Sequence, residues 1–264
     1  IWSRGVDGAW QSEVLEGHTK KVHCLQVPPD GRIVSGGGDG LRIWSRDANG
    51  KWQSEVLEGH SGFVCCLQVL HDGCIVSGGY DDLRIWSRGA DGMWQSEVLE
   101  HTDWVNCLQM LLDGRIVSGD NYGKLSIWSR GADGTWQSEV QEHAGGAYCL
   151  QVLPDGRIVS GSSDCTIRIW SRGADGKWQS EVLRGHENSV NCLQVLSDGR
   201  IVSGSEDGTL RIWSRGVDGT WQSEVLEHTG WVLCLQVLSD GRIFSGDEKG
   251  VLRIWDGAPV ERMS

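Results

Sequence analysis

Proline, phenylalanine, tyrosine and methionine are all scarce in this sequence. Its 264 residues hold 4 Pro, 2 Phe, 3 Tyr and 3 Met. Cations are in deficit too: 24 Lys and Arg face 36 Asp and Glu, for a net charge of −12. A nucleic-acid binder needs a basic footprint to displace phosphate counterions, so no nucleic-acid partner is expected. Basic peptides are the better electrostatic match. No apolar run approaches the roughly 20 residues that cross a bilayer, and no signal peptide is recognisable; no membrane partner is expected. The chain opens at Ile1 without a methionine, as an excerpt of a longer protein would. Nine cysteines are present, but no Cys-x-x-Cys pair. Six of them recur in the same setting, Cys-Leu-Gln. That slot suits a small buried side chain better than a disulfide framework or a zinc site. A reducing, cytoplasmic location and no metal are the corresponding expectations.

Glycine and tryptophan, by contrast, are abundant, at 38 and 15 copies. The pair Ile-Trp ends at Trp2, Trp44, Trp86, Trp128, Trp170, Trp213 and Trp255, a spacing of 42 residues and once 43. A second tryptophan recurs between them, at Trp10, Trp52, Trp94, Trp136, Trp178 and Trp221. Such a period is the first thing to settle in a repeat protein. Each period holds four strand-like runs. In the fifth copy they are Val190–Val195, Arg200–Ser203, Leu210–Trp213 and Trp221–Val225, separated by turns such as Asp198-Gly199 and Asp218-Gly219. One four-stranded sheet cannot bury both faces alone, and six stacked radially can. The expected fold is therefore all-β: one domain over residues 1–264, a single six-bladed β-propeller with four antiparallel strands per blade. Trp10–Leu15 is a lone fourth strand, and Val232–Trp255 supplies three strands without a fourth. Pairing them closes the ring and removes two open edges. Ile1-Trp2 and Ile254-Trp255 compete for one strand position, and the first residues are expected to be displaced.

Gly-His, followed about 26 residues later by Ile-Trp, resembles the WD-repeat β-propeller family. The resemblance spans nearly the whole chain. Ser follows the tryptophan in every copy except Trp255-Asp256, and Glu-His replaces Gly-His at His101, His143 and His228.

Every period also contains His, Ser and Trp, and four add an Asp. The sets are His18, Ser35, Asp39 and Trp44; His60, Ser77, Asp81 and Trp86; His143, Ser160, Asp164 and Trp170; and His186, Ser203, Asp207 and Trp213. A hydrolase needs one such site with an oxyanion hole, not a copy in every repeat. The family resemblance implies instead a buried hydrogen-bond chain running from Asp or Ser through His to the Trp indole. The third and sixth copies hold Tyr122 and Lys249 in the Asp slot, with Asp120 and Asp247 two residues earlier. Weaker networks are expected there. No unique nucleophile, metal cluster or phosphate-cradling loop is present, so neither an enzyme nor a cofactor is expected.

The copies differ mainly at one end of the expected sheets, where the loop after the histidine meets the loop between the second and third strands. Lys21, Phe63, Tyr80, Trp104, Tyr122, Tyr148 and Trp231 all fall there, with Asp81, Asp82, Asp103 and Asp120 among them. Aromatics on a loop-built surface read as binding hot spots. With carboxylates beside them they suit a Lys- or Arg-bearing peptide. The expected function is a monomeric, non-catalytic scaffold for a protein or peptide. One alternative is a multivalent lectin using the repeated Trp-Ser-Arg-Gly-Ala-Asp-Gly-Lys-Trp rim segment. Another is a recently amplified or designed array without a specific ligand.

Overall fold

The computed structural model describes every residue except Gly5, Asp81, Thr102 and 257–264, and Trp2 by its backbone alone. Every regular element among the described residues is a β-strand. The chain divides into two compact units, Ile1–Thr102 and Asp103–Ser264.

The first unit opens with a hairpin, Trp2–Arg4 against Trp10–Ser12, and continues with two four-stranded antiparallel sheets. The first sheet comprises Val22–Gln26, Ile33–Gly37, Gly40–Arg46 and Trp52–Leu57. The second comprises Val64–Val69, Ile75–Gly79, Leu83–Arg88 and Trp94–Leu99. The second unit holds the remaining four sheets. The third is Val105–Met110, Ile116–Asp120, Lys124–Arg130 and Trp136–Glu142; the fourth is Ala147–Val152, Ile158–Ser162, Thr166–Arg172 and Trp178–Arg184. The fifth is Val190–Val195, Ile201–Ser205, Thr209–Arg215 and Trp221–Glu227; the sixth has three strands, Val232–Val237, Ile243–Asp247 and Leu252–Trp255.

Each sheet follows chain order, so every connection is a local turn. The hairpin corrects one expectation. Trp10–Ser12 takes Trp2–Arg4 as its partner, in the register Trp2↔Ser12 and Arg4↔Trp10, so the first residues are paired rather than displaced. A strand prefers the neighbour delivered by a short turn, because loop closure costs least there.

Within each unit the sheets stack face to face. Val34, Leu41, Ile43 and Leu57 of the first sheet pack on Val64, Ile75 and Trp86 of the second. In the second unit Val159, Ile167, Ile169 and Leu183 of the fourth sheet pack on Val190, Leu193, Ile201 and Trp213 of the fifth. The repeated cysteine points into these seams: Cys24 Sγ lies 3.7 Å from the Val64 carbonyl and Cys149 Sγ 3.5 Å from that of Val190. Among the described residues no cysteine is joined in a disulfide, and burial pushes the Cys24 and Cys192 thiols up to about 12, which keeps them protonated. The neighbouring glycines permit this approach. A Cβ on Gly204 would lie 2.5 Å from Val232 Cγ1 and 2.7 Å from Cys192 Sγ.

The turns between second and third strands place one residue in the left-handed region. Gly40, Gly123, Gly208 and Gly250 hold that position in four sheets, and Cys165, at φ 65°, holds it in the fourth. A side chain there costs about 1 kcal/mol, part of which glycine returns through the entropy of the unfolded chain. Cys165→Gly is expected to stabilise the protein by about 0.5–1 kcal/mol. A urea midpoint that stays put or falls would contradict the strain argument.

Candidate functional site

The recurrent polar residues assemble into a chain within each sheet. In the fifth, His186 Nδ1 lies 2.8 Å from Asp207 and Nε2 lies 2.7 Å from Ser203 Oγ. Trp213 Nε1–H donates to the same Ser203 Oγ at 2.8 Å. The carboxylate only accepts, so Nδ1 carries the ring proton. Nε2 then accepts from the Ser203 hydroxyl, whose oxygen accepts from the indole. His18 with Ser35, Asp39 and Trp44 repeats the pattern, and so does His143 with Ser160, Asp164 and Trp170. This is the bonding order of a hydrolytic triad, but Ser160 and Ser203 are fully buried and each oxygen already holds an indole proton. No substrate carbonyl reaches these oxygens.

Two expectations about this chain need correction. In the second sheet the carboxylate on His60 Nδ1 is Asp82, at 2.9 Å, with His60 Nε2 on Ser77 and Trp86 on the same oxygen. Asp82 is buried and also pairs with Arg84 at 2.7 Å, so it is not a binding-face residue. Asp81, expected in that role, lies outside the described residues. In the sixth sheet Asp247 reaches His228 Nδ1 at 3.1 Å, and Ser245 and Trp255 complete a full network rather than a weakened one. The carboxylate has moved to the last residue of the second strand, where it also accepts from the Lys249 and Val251 amides. Asp120 occupies the same place in the third sheet and binds the Tyr122 and Lys124 amides at 3.0 and 2.9 Å. It is buried, so it adds no charge to the surface.

Burial lowers His143 to about 4, against the opposing pull of Asp164. Burial alone would raise Asp164, but hydrogen bonds from Thr166, the Ala144 amide and His143 outweigh it and hold the carboxyl near about 2. His186 is lowered for the same first reason as His143. At neutral pH these rings are neutral and their aspartates ionised.

The variable end of each sheet is built by one repeated backbone bond. The residue entering the first strand accepts from the residue opening the turn after the second. Tyr80 N–H donates to Phe63, Asn121 N–H to Trp104, and Glu248 N–H to Trp231, each at 3.0 Å. Phe63 and Tyr80 are thereby neighbours in the first unit, and Trp104 adjoins Asn121-Tyr122 in the second. All four aromatics are exposed, Tyr122 most of all at 71%. The fourth and fifth sheets place Gly146 with Ser163 and Ser189 with Glu206 in the same positions. Lys21 is exposed and bonds Gly38 through its carbonyl, and Asp103 accepts from the Trp104 amide at 2.7 Å.

A β-bulge shapes this end. The ladder shifts between Val190 and Cys192 in the fifth sheet and at the equivalent place in every other. The extra residue is re-aimed. Asn191 uses this to donate to Val232 O of the next sheet at 3.1 Å. Tyr148 is the bulged residue of the fourth sheet and is half-buried, the least available of the expected aromatics.

The rim segment proposed for sugars is already engaged. Glu139 Oε2 accepts from Trp178 Nε1 at 2.9 Å and its other oxygen binds Arg172, whose guanidinium stands 5.1 Å over the Trp178 ring. Glu181 holds Arg215 and Trp221 in the same way, and Glu13 holds Arg46 and Trp52. These tryptophans clamp one sheet to the next, which leaves their polar edges unavailable to a saccharide.

The sequence profile described as "WD domain, G-beta repeat" matches residues 10–45, 51–87, 94–129, 134–171, 177–214 and 220–256. No curated protein matches the chain. Among solved structures it is similar to the WD40 β-propeller domain of Doa1, with 22% identity over 91% of this chain and 94% of that one and a TM-score of 0.62. At that identity the likeness speaks to the fold.

Proposed function

Because the chain belongs to the WD-repeat family, whose propellers are generally non-catalytic scaffolds for protein interaction, we propose that it binds protein or peptide segments through the variable loop end of its sheets. The observation that carries this reading is that Trp104 and Tyr122 stand on two segments joined by the Asn121–Trp104 backbone bond, both exposed to solvent. Rigid aromatic faces anchor a ligand at low entropic cost. Phe63 and Tyr80 offer a second such pair in the first unit.

With Asp82 and Asp120 committed to internal bonds, Asp103 is what is left of the expected acidic set among the described residues. The ligand is then read chiefly by its apolar and cationic contacts with ring faces, in which a Lys or Arg contributes through cation–π attraction. A displayed peptide library panned against the chain tests this. Peptides so selected are expected to bind the double variant Trp104→Ala, Tyr122→Ala at least tenfold more weakly, with its circular dichroism melt unchanged. Equal affinity for both proteins would overturn the reading.

A further inference from the structure

The turn between third and fourth strands recurs in every four-stranded sheet, and the sequence fills it in two ways. In the second to fifth sheets it opens on Gly and carries Asp at its third place: Gly89 and Asp91, Gly131 and Asp133, Gly173 and Asp175, Gly216 and Asp218. Each of these aspartates turns its Oδ1 to accept from the amide two residues on, that of Met93, Thr135, Lys177 or Thr220, at 3.0 Å. Such a side-chain cap is what fits Asp and Asn to turns.

In the first sheet the carboxylate has moved. Asp47 opens the turn, and its Oδ1 accepts from the Asn49 and Lys51 amides, each at 2.9 Å. Its other oxygen accepts from Gln53 Nε2 at 3.1 Å. The bond to residue 51 that the third place supplies elsewhere is therefore made from the first. Asn49 stands at the third place, exposed, and its carboxamide holds no hydrogen bond among the described residues.

Gly50 follows it, in the one Asn-Gly pair of the sequence. A backbone nitrogen can close a five-membered ring on the side-chain carbonyl of the asparagine before it, and a following residue without a side chain hinders that closure least. A Cβ on Gly50 would meet nothing within 4 Å, so the approach is open. The Gly50 N–H donates to Asp47 O at 2.9 Å, and the turn must release this bond before the nitrogen attacks. An exposed turn opens locally at small cost. The other four asparagines precede Cys107, Tyr122, Ser189 and Cys192. Asn106 and Asn191 donate to Ala147 O and Val232 O, and Asn188 accepts from the Ser189 amide. Behind Asn121, the Tyr122 amide is held by Asp120.

We propose that Asn49 is a site of spontaneous deamidation, created by the transfer of the turn's cap to Asp47. The Gly50 nitrogen bonds to the Asn49 side-chain carbonyl carbon and gives up its proton. The bond from that carbon to the carboxamide nitrogen breaks, and ammonia leaves with the proton. Water then opens the cyclic imide at one carbonyl or the other, which yields aspartate or isoaspartate. The net change is one water consumed and one ammonia released. Aspartate is the residue that the other four turns already carry. Isoaspartate adds a methylene to the main chain and shifts Gly50, whose carbonyl accepts from Arg46 Nη1 at 2.6 Å.

The test holds the whole chain at mildly alkaline pH for several weeks and follows the tryptic peptide 47–51, bounded by Arg46 and Lys51, by mass spectrometry. A gain of one dalton at Asn49 is expected, with isoaspartate in excess of aspartate, at least tenfold faster than at any other asparagine. Asp47→Gly restores the glycine of the other turns and leaves the Asn49 oxygen as the acceptor for the Lys51 amide. Conversion is expected to slow at least threefold in this variant, with its circular dichroism unchanged. Conversion at Asn49 no faster than at the other asparagines overturns the proposal. A rate in Asp47→Gly equal to or above that of the wild type overturns it as well.

Discussion

Ser203→Ala is expected to destabilise the protein by about 3 kcal/mol, although it removes a single oxygen atom. That oxygen donates to His186 Nε2 at 2.7 Å and accepts from Trp213 Nε1 at 2.8 Å, and the serine has no exposed surface. Taking it away orphans two buried polar groups at once. Each costs about 1–3 kcal/mol when it can find neither protein nor water. The site is closed to solvent, since Ser203 and Ile201 on the same face of the strand have no exposed surface. Trp213→Phe removes one donor and leaves the His–Ser bond intact, so about half the loss is expected. Ser205→Ala is the control. Its hydroxyl accepts from the Asp207 amide and donates to Asn188 O, each at 3.1 Å, at the edge of the turn. Urea unfolding of the three variants ranks them, and a Ser203→Ala loss no larger than that of Ser205→Ala would contradict the network argument. A hydrolytic role would be exposed by the same series as lost turnover without lost stability.

The fold was legible because its signal is multiplied. One Ile-Trp or one Asp-Gly turn says little, but the same spacing in every repeat leaves few architectures. Two of the fifth-sheet strands read from sequence are short, by three residues and by two: Leu210–Trp213 extends to Thr209–Arg215, and Trp221–Val225 to Glu227. All of those added residues but Leu226 are polar, and polar residues at a strand end carry no periodic signal. The bulge was illegible for a related reason. Val190-Asn191-Cys192 reads as an unbroken strand, and only the partner strand reveals that Asn191 is unpaired. Asp82, which meets His60, lies five residues after Ser77, whereas Asp39 and Asp207 lie four after Ser35 and Ser203, and no spacing in the sequence announces the change. The glutamate clamps were missed altogether, because Glu139 and Trp178 lie 39 residues apart and meet only once sheets stack. The aromatic pairs were half visible: sequence placed Phe63, Tyr80, Trp104 and Tyr122 at one end, and the backbone bonds then paired them.

Acid should unfold this protein well before its carboxylates titrate, and His143 sets the window. Its side chain is fully shielded, and burial holds its pKa at about 4, below the ordinary value of 6.5. An unfolded His143 takes up a proton as pH falls through 6.5, whereas the folded ring refuses it until about 4. In that interval the unfolded state binds more protons, so stability falls as pH falls. The contribution is fully present above pH 6.5 and is gone by pH 4, where the loss is on the order of 3 kcal/mol. His186, lowered by burial in the same direction, adds to it. Asp164 extends the decline below its ordinary 3.8 toward about 2, as its own protonation breaks the bonds from Thr166 and Ala144. Melting temperature should therefore be level above pH 7 and fall by roughly 5–10 °C between pH 6.5 and 4.5. His143→Gln removes the titrating ring. It lowers stability at pH 7 by orphaning its partners, but its melting temperature should decline more gently with acid than the wild type's. Parallel curves for the two proteins, or a wild-type curve flat from pH 7 to 5, would show that the buried histidines do not control acid stability.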